Sequence, residues 1–100
     1  MNDTDRRAEL ERTMGRVLYS DLRAHLVRGA LFLVSPAASL LDCAIAVASD
    51  DVTKVQAMLT DGTLRRPTEA ESEAWNADLE HPFESIVVQP YVLAKDLKLE

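Results

Sequence analysis

The sequence predicts a single α+β domain in which five helical segments pack on a small three-stranded sheet. Apolar residues recur at helical spacing through most of the chain, short β-prone runs interrupt that spacing, and glycines stand where the helical patterns stop. One hundred residues, 47% hydrophobic and 28% charged, are enough for one core without disulfides. We place this domain over residues 1–98 and leave out Leu99-Glu100, which a vector could have contributed.

The first third of the chain predicts two helices and a strand. The first helix begins at a cap on Asp3 or Thr4 and ends at Gly15 or slightly past it. A second helix occupies residues 20–29, capped by its first residue, a serine, and closed by its last, a glycine. The apolar run ALFLV, residues 30–34, follows as a buried strand.

The middle of the chain predicts a helix pair. After the turn SPAAS, apolar residues recur at steps of four and three, which indicates helices over 39–48 and 51–61. Ser49 and Asp50 interrupt the stripe and are expected to cap the turn between the two helices. Gly62 ends the second helix.

An acidic helix is predicted after a short strand at TLRRPT, residues 63–68. Thr68 and Glu71 have the spacing of a capping box, which starts the helix. His81-Pro82 ends it.

The segment ESIVVQPYVLAKD, residues 84–96, is the best strand candidate, although Pro90 stands in its middle. Proline cannot donate a ladder hydrogen bond, so the strand must lie at a sheet edge, bulge, or end and restart. We expect an edge strand with a bend at Pro90.

With the acidic helix set aside, the order of elements resembles a winged helix with a helix inserted in its wing. In such a fold the helix over 51–61 would contact DNA. The candidate nucleic-acid contacts are Lys54, Gln56, Arg65 and Arg66. The net charge of −6 and an acidic block at 67–84 without Lys or Arg argue against nucleic-acid binding.

Neither a membrane segment nor a signal peptide is predicted. The longest runs without polar side chains, 30–34 and 43–48, are far short of the roughly 18 residues that a membrane helix needs, and MNDTDRR has no apolar signal region. We therefore expect a cytoplasmic protein. The single cysteine, Cys43, lies in an apolar run and is expected to be a buried, unreactive thiol.

We predict no catalytic, cofactor-binding or metal-binding residue. His25 and His81 are the two histidines, and with one cysteine they supply no zinc spacing. Asp42 is the candidate buried polar residue, because its neighbours in sequence are apolar. The alternative is that Asp42 points to solvent; if it is buried it needs a partner, and the candidates are Arg16, Arg23 and Arg28. Whether Asp42 or His25 lines a ligand pocket stays open.

Several particular residues resemble a family of small bacterial proteins, domain of unknown function 2288. The matching pieces, spread over most of residues 10 to 96, are Leu41-Asp42, Asp50-Asp51, Gly62, Trp75 and IVVQPYVLAKD. The family tends to have tryptophan where this chain has Tyr19 and Tyr91. Because the family is uncharacterised, the resemblance implies no activity, cofactor or catalytic residue.

The leading hypothesis is a non-catalytic protein-interaction module that binds an unknown protein or associates with itself. The acidic helix and the absence of a catalytic motif motivate it. The candidate interface residues are Trp75, Glu71, Asp78 and Tyr91, although a lone tryptophan on an amphipathic helix is more often core. The alternatives are a degenerate winged-helix nucleic-acid-binding protein and a small-ligand-binding protein or enzyme.

Overall fold

The computed structural model describes residues 3–98, with side chains from Asp5 onward, and within that range it has five helices and one five-stranded sheet. The helices are α1 (Asp3–Thr13), α2 (Tyr19–Val27), α3 (Leu40–Ala48), α4 (Val52–Asp61) and α5 (Glu69–Asn76). The strands are β1 (Gly15–Leu18), β2 (Leu31–Val34), β3 (Leu64–Arg65), β4 (Pro82–Val88) and β5 (Tyr91–Asp96). The α+β class is thereby confirmed.

The sheet is mixed, with the strand order β1-β4-β5-β2-β3. The pair β2 and β5 is parallel, and the other neighbours are antiparallel. The expected three-stranded sheet is wrong, because residues 15–18 form a strand and residues 84–96 contribute to two strands instead of one. The winged-helix topology is not confirmed.

The proline at position 90 lies in the turn of the β4–β5 hairpin. Val88 pairs with Tyr91, so Gln89 and Pro90 are the two turn residues, and the bond between them is cis. Both strands have neighbours on each side. The expected bent edge strand is therefore wrong: the strand ends and restarts at a place where proline removes no ladder hydrogen bond.

The first helix ends earlier than its apolar spacing suggests. Helix α1 stops at Thr13, and Gly15 begins β1, which pairs with residues 82–85 of β4. The β4 backbone needs hydrogen-bond partners on this side, and strand pairing supplies them, which outweighs a short helical pattern. The expected cap on Asp3 or Thr4 lies outside the side chains that the structure describes.

Two caps differ from expectation. Helix α2 starts before Ser20, and the Asp21 carboxylate accepts a hydrogen bond from the Leu18 N–H at 3.1 Å. Helix α4 is capped by Asp51, whose Oδ1 accepts from the Lys54 N–H, and not by Asp50, which has a φ of 54°.

Other helix ends follow the sequence more closely. The predicted capping box of α5 is confirmed, with Thr68 and Glu71 each accepting from the other's backbone N–H. Gly62 ends α4 in the left-handed conformation. Helix α5 ends at Asn76, ahead of the expected His81, because the Leu79 carbonyl accepts from the Ser20 N–H and holds the following loop against α2.

Apolar side chains fill both faces of the sheet, because successive strand residues point to opposite sides. One core packs α1, α3 and α4 on the sheet and includes Leu10, Leu40, Cys43, Ala44, Met58, Ile86 and Leu93. The other packs α2 and α5 and includes Tyr19, Leu22, Leu31, Trp75, Phe83 and Val92. Among the described residues no helix combines the length and the hydrophobicity that crossing a membrane requires.

Candidate functional site

Helix α4 has a wider apolar stripe than the core covers. Met58 is buried and Val55 is half-buried, but Val52 is 68% exposed and Leu59 is 47% exposed. Val52, Val55 and Leu59 lie at positions i, i+3 and i+7, so they share one face of the helix. The stripe therefore continues from the core onto the surface.

Two adjoining cavities lie along this face, and we call them together the α4 groove. They share Val47, Val55 and Tyr91, and their volumes are about 210 and 230 Å³. The remaining lining residues are Phe32, Leu59, Leu64 and Leu93 in the first cavity and Asp50, Val52 and Gln56 in the second. The groove is apolar along most of its length.

The β4–β5 hairpin supplies the wall opposite α4. Tyr91 follows the turn, is 39% exposed, and meets the Phe32 ring edge-on with centroids 5.7 Å apart. The Arg66 Cζ lies 4.8 Å from the Phe32 centroid, and the Arg66 guanidinium also donates to the Gly29 carbonyl at 2.7 Å. Arg28 donates to the Pro90 carbonyl at 3.3 Å. Two arginines thus hold the hairpin turn and Phe32 in place.

A polar cluster on the opposite face of the sheet was not predicted from the sequence. His81 Nε2 lies 2.7 Å from Asp96 Oδ1, and the ring contacts Phe83 and Trp75 with centroids 5.0 and 6.0 Å apart. Asp96 also accepts from the Lys98 N–H at 2.8 Å. His81 and Asp96 are 15 positions apart in sequence, so no local motif marks the pair.

The polar contacts of His81 link the loop after α5 to the end of β5. Its Nδ1 faces the Asp78 carboxylate at 3.7 Å, and Lys98 in turn pairs with Asp78 at 3.1 Å. The Tyr19 hydroxyl is buried in the same core without a hydrogen-bond partner among the residues that the structure describes.

The family model described as "Protein of unknown function (DUF2288)" matches residues 5–96. The chain belongs to this family. The chain is also similar to a solved structure titled "NMR solution structure of PA1075 from Pseudomonas Aeruginosa", with 29% identity and a TM-score of 0.78 over 90% of this chain and 82% of that chain. No curated protein matches the sequence. The resemblance to family 2288 stated from the residues is confirmed.

The candidate interface residues of this DUF2288 chain are divided between two faces. Tyr91 lines the α4 groove. Trp75 is 5% exposed and belongs to the opposite core, next to Tyr19 and Phe83. Glu71 is paired with Arg65, and Asp78 with Lys98.

The candidate nucleic-acid contacts are also divided. Lys54 and Gln56 are exposed on α4. Arg65 stands beside Leu33 in the sheet, so it points to the face of α5, where both its amino groups donate to the Glu71 carboxylate at 2.7 and 2.8 Å. These hydrogen bonds lower the pKa of Glu71 to about 2 and raise the pKa of Arg65. The cations therefore do not form one patch.

The remaining sequence candidates lie outside these cavities. Asp42 is exposed and pairs with Arg7 at 3.0 Å, so its expected burial and its expected arginine partners are wrong. Because α3 presents its cysteine and alanines inward, Asp42 falls on the solvent side. His25 contacts Arg28 at 2.6 Å. Cys43 is buried, as predicted, and burial raises the pKa of its thiol.

No group of three or more His, Cys, Asp or Glu side chains within the described part of the chain could hold a metal ion.

Proposed function

We propose that this DUF2288 protein is a non-catalytic protein-interaction module, and that the α4 groove accepts apolar side chains of a protein partner. The observation that supports the proposal is the exposed apolar stripe of Val52 and Leu59 beside two adjoining apolar cavities. Exposed apolar patches bordered by polar residues are typical of interaction sites.

The dimensions of the groove favour side chains over a small-molecule cofactor. Pockets for drug-sized ligands are about 300–1,000 Å³ and enclose most of the ligand. Each of the two cavities alone, of about 210 and 230 Å³, is below this range, and the two lie in a row along a helix. Such a row suits consecutive anchors of an apolar segment, the arrangement used in helix-in-groove recognition.

The experiment compares three tagged proteins in capture from a host lysate: the wild type, Leu59→Glu in the groove, and Val27→Glu as a control. Val27 is 78% exposed and lies on α2, away from the groove, so its substitution introduces the same charge elsewhere. We expect one near-stoichiometric protein with the wild type and with Val27→Glu, and its loss with Leu59→Glu. A partner retained equally by all three proteins would refute the role of the groove.

A further inference from the structure

The two ends of the α4 groove have opposite charges. Asp50 lines one end, and Asp51 follows it in sequence. Beyond the other end, the Arg66 guanidinium lies against the groove residue Phe32, although Arg66 itself lines a neighbouring cavity between α2 and α5 and not the groove. All three charged residues are exposed. The apolar floor therefore lies between an acidic end and a basic side chain just beyond the opposite end.

The other charged side chains of α4 lie away from the groove. At about 100° per residue, Lys54 and Asp61 fall on the side of the helix opposite to Val52 and Leu59. The Asp61 carboxylate also accepts a hydrogen bond from the Thr63 N–H at 2.9 Å.

A surface of this kind is complementary to itself. A two-fold axis perpendicular to the groove places the acidic end of one copy on the basic end of the other, and it does so twice. The same operation lays two α4 helices antiparallel, so their apolar stripes meet along their length and their dipoles are opposed favourably. An unrelated apolar segment would satisfy the floor but would need matching charges at both of its ends.

We propose that the partner in the α4 groove is a second copy of this chain, in a two-fold dimer that pairs Asp50 and Asp51 of one copy with Arg66 of the other. This inference rests on the proposed function, because it names the occupant of the same groove. Helix α4 has ten residues, so the interface is small. Small interfaces are weak, which predicts dissociation in the micromolar range.

The first test measures self-association by sedimentation equilibrium from about 1 µM to about 1 mM, a range that covers weak dimers. The wild type and Val27→Glu are expected to dimerise as concentration rises. Leu59→Glu is expected to dimerise at least about tenfold more weakly, because each dimer would then bury two unpaired carboxylates. A wild type that stays monomeric throughout would overturn the inference, and so would a dimer that Leu59→Glu leaves unchanged.

The second test addresses the two-fold arrangement by charge reversal. Asp50→Lys removes the net negative charge of the acidic end, because Asp51 remains there beside the introduced lysine, and Arg66→Glu makes both ends acidic, so each variant alone is expected to dimerise more weakly than the wild type. An equimolar mixture is expected to form heterodimers, because one pair of ends then keeps the native contact of Asp50 and Asp51 with Arg66, and at the other pair the introduced lysine faces the introduced glutamate. If the mixture associates no better than either variant alone, the proposed pairing is wrong.

Folding of each variant is checked by thermal denaturation. Asp50 has a φ of 54°, a conformation that is uncommon for lysine. Asp50→Asn therefore serves as a second variant, because asparagine adopts this φ more readily and removes the charge. Asp50→Asn is expected to weaken the dimer less than Asp50→Lys does, and an unchanged dimer would count against the pairing.

The outcomes separate the inference from the proposed function. A chain that is monomeric at about 1 mM but captures a different protein through Leu59 refutes the dimer and leaves the interaction function standing. Groove-dependent dimerisation supports both.

Discussion

At the scale of single residues, the pair of Arg65 and Glu71 ties the last residue of β3 to the first turn of α5. Two hydrogen bonds from Arg65 are the largest cause that lowers the pKa of Glu71 from 4.5 to about 2. The shift would correspond to roughly 3 kcal/mol without solvent screening. Since the Arg65 side chain is 42% exposed, screening leaves about 1–2 kcal/mol.

Glu71→Gln is predicted to lower the free energy of unfolding by about 1–2 kcal/mol at pH 7. The folded pKa of Glu71 is depressed, so its contribution is complete above pH 4.5 and is lost as the pH falls towards 2. Urea denaturation at several pH values should therefore show the difference between wild type and variant shrinking below pH 4.5. Glutamine can still accept the hydrogen bond from the Thr68 N–H, so the capping box is kept. The difference in stability therefore reports the ion pair with Arg65.

Glu73→Gln is the matched control for Glu71→Gln, because Glu73 is exposed on the same helix. It is expected to change stability by less than about 0.5 kcal/mol. A difference for Glu71→Gln that persists at pH 2 would show that the pair does not stabilise the fold through its charge.

His81→Phe is predicted to destabilise the protein by about 1–3 kcal/mol, because it keeps an aromatic ring beside Phe83 but removes one hydrogen-bond partner of the buried Asp96 carboxylate and leaves it the Lys98 N–H. Adding Asp96→Leu to His81→Phe should cost less than the sum of the two single changes, since the loss of the hydrogen bond between His81 and Asp96 is counted in both single variants but occurs once in the double variant. Chemical denaturation of the four proteins gives this coupling energy. Simple additivity would mean that the two side chains are independent.

At the scale of secondary-structure elements, α4 lies at the margin of the core. Its inward side chain Met58 is buried beside α3 and the sheet, and its outward apolar residues Val52 and Leu59 contribute little burial. Folding therefore explains the inner half of the stripe and leaves the outer half to another role.

Met58→Ala is predicted to lower the free energy of unfolding by about 2–5 kcal/mol. Leu59→Ser, one position further, should cost less than about 1 kcal/mol, because its side chain is already 47% exposed. The comparison is made by urea denaturation at a concentration low enough for the chain to be monomeric, since association would add to the apparent stability. Equal costs would show that Leu59 is a core residue and would weaken the case for the α4 groove.

At the scale of the whole molecule, local patterns predicted most helices well, and long-range pairing decided the rest. The capping box of Thr68 and Glu71 and the left-handed Gly62 depend on neighbours within a few residues, so the sequence contains their whole cause. Strand β1 depends on β4, more than 60 positions away, and its short apolar spacing resembles a helix. Pro90 was placed in an edge strand because strand neighbours cannot be counted from one segment.

In the candidate site, too, local patterns predicted some residues, and the long-range fold decided where those residues lie. Tyr91 was chosen from sequence as an aromatic residue, and the structure places it in the α4 groove, while Trp75 lies in the opposite core. Helical spacing could not predict that Tyr91 and Trp75 lie on different faces of the sheet. It shows which residues share one side of a helix, but not which face of the sheet the helix covers. The groove itself joins α3, α4, β2, β3 and β5, so it exists only in the folded chain.

The distribution of charge over the whole molecule predicts that it does not bind nucleic acid. The net charge is −6, Lys54 and Arg65 lie on opposite faces of the sheet, and Arg65 is occupied by Glu71. Non-specific DNA binders have dissociation constants of about 10⁻⁴–10⁻⁶ M at physiological salt, and their affinity rises steeply as salt is lowered. Fluorescence anisotropy of a labelled duplex at low salt should show no saturable binding up to about 100 µM protein. Saturable binding that Lys54→Ala or Arg66→Ala weakens would contradict this prediction and would mean that a few cations on the α4 side outweigh the overall negative field.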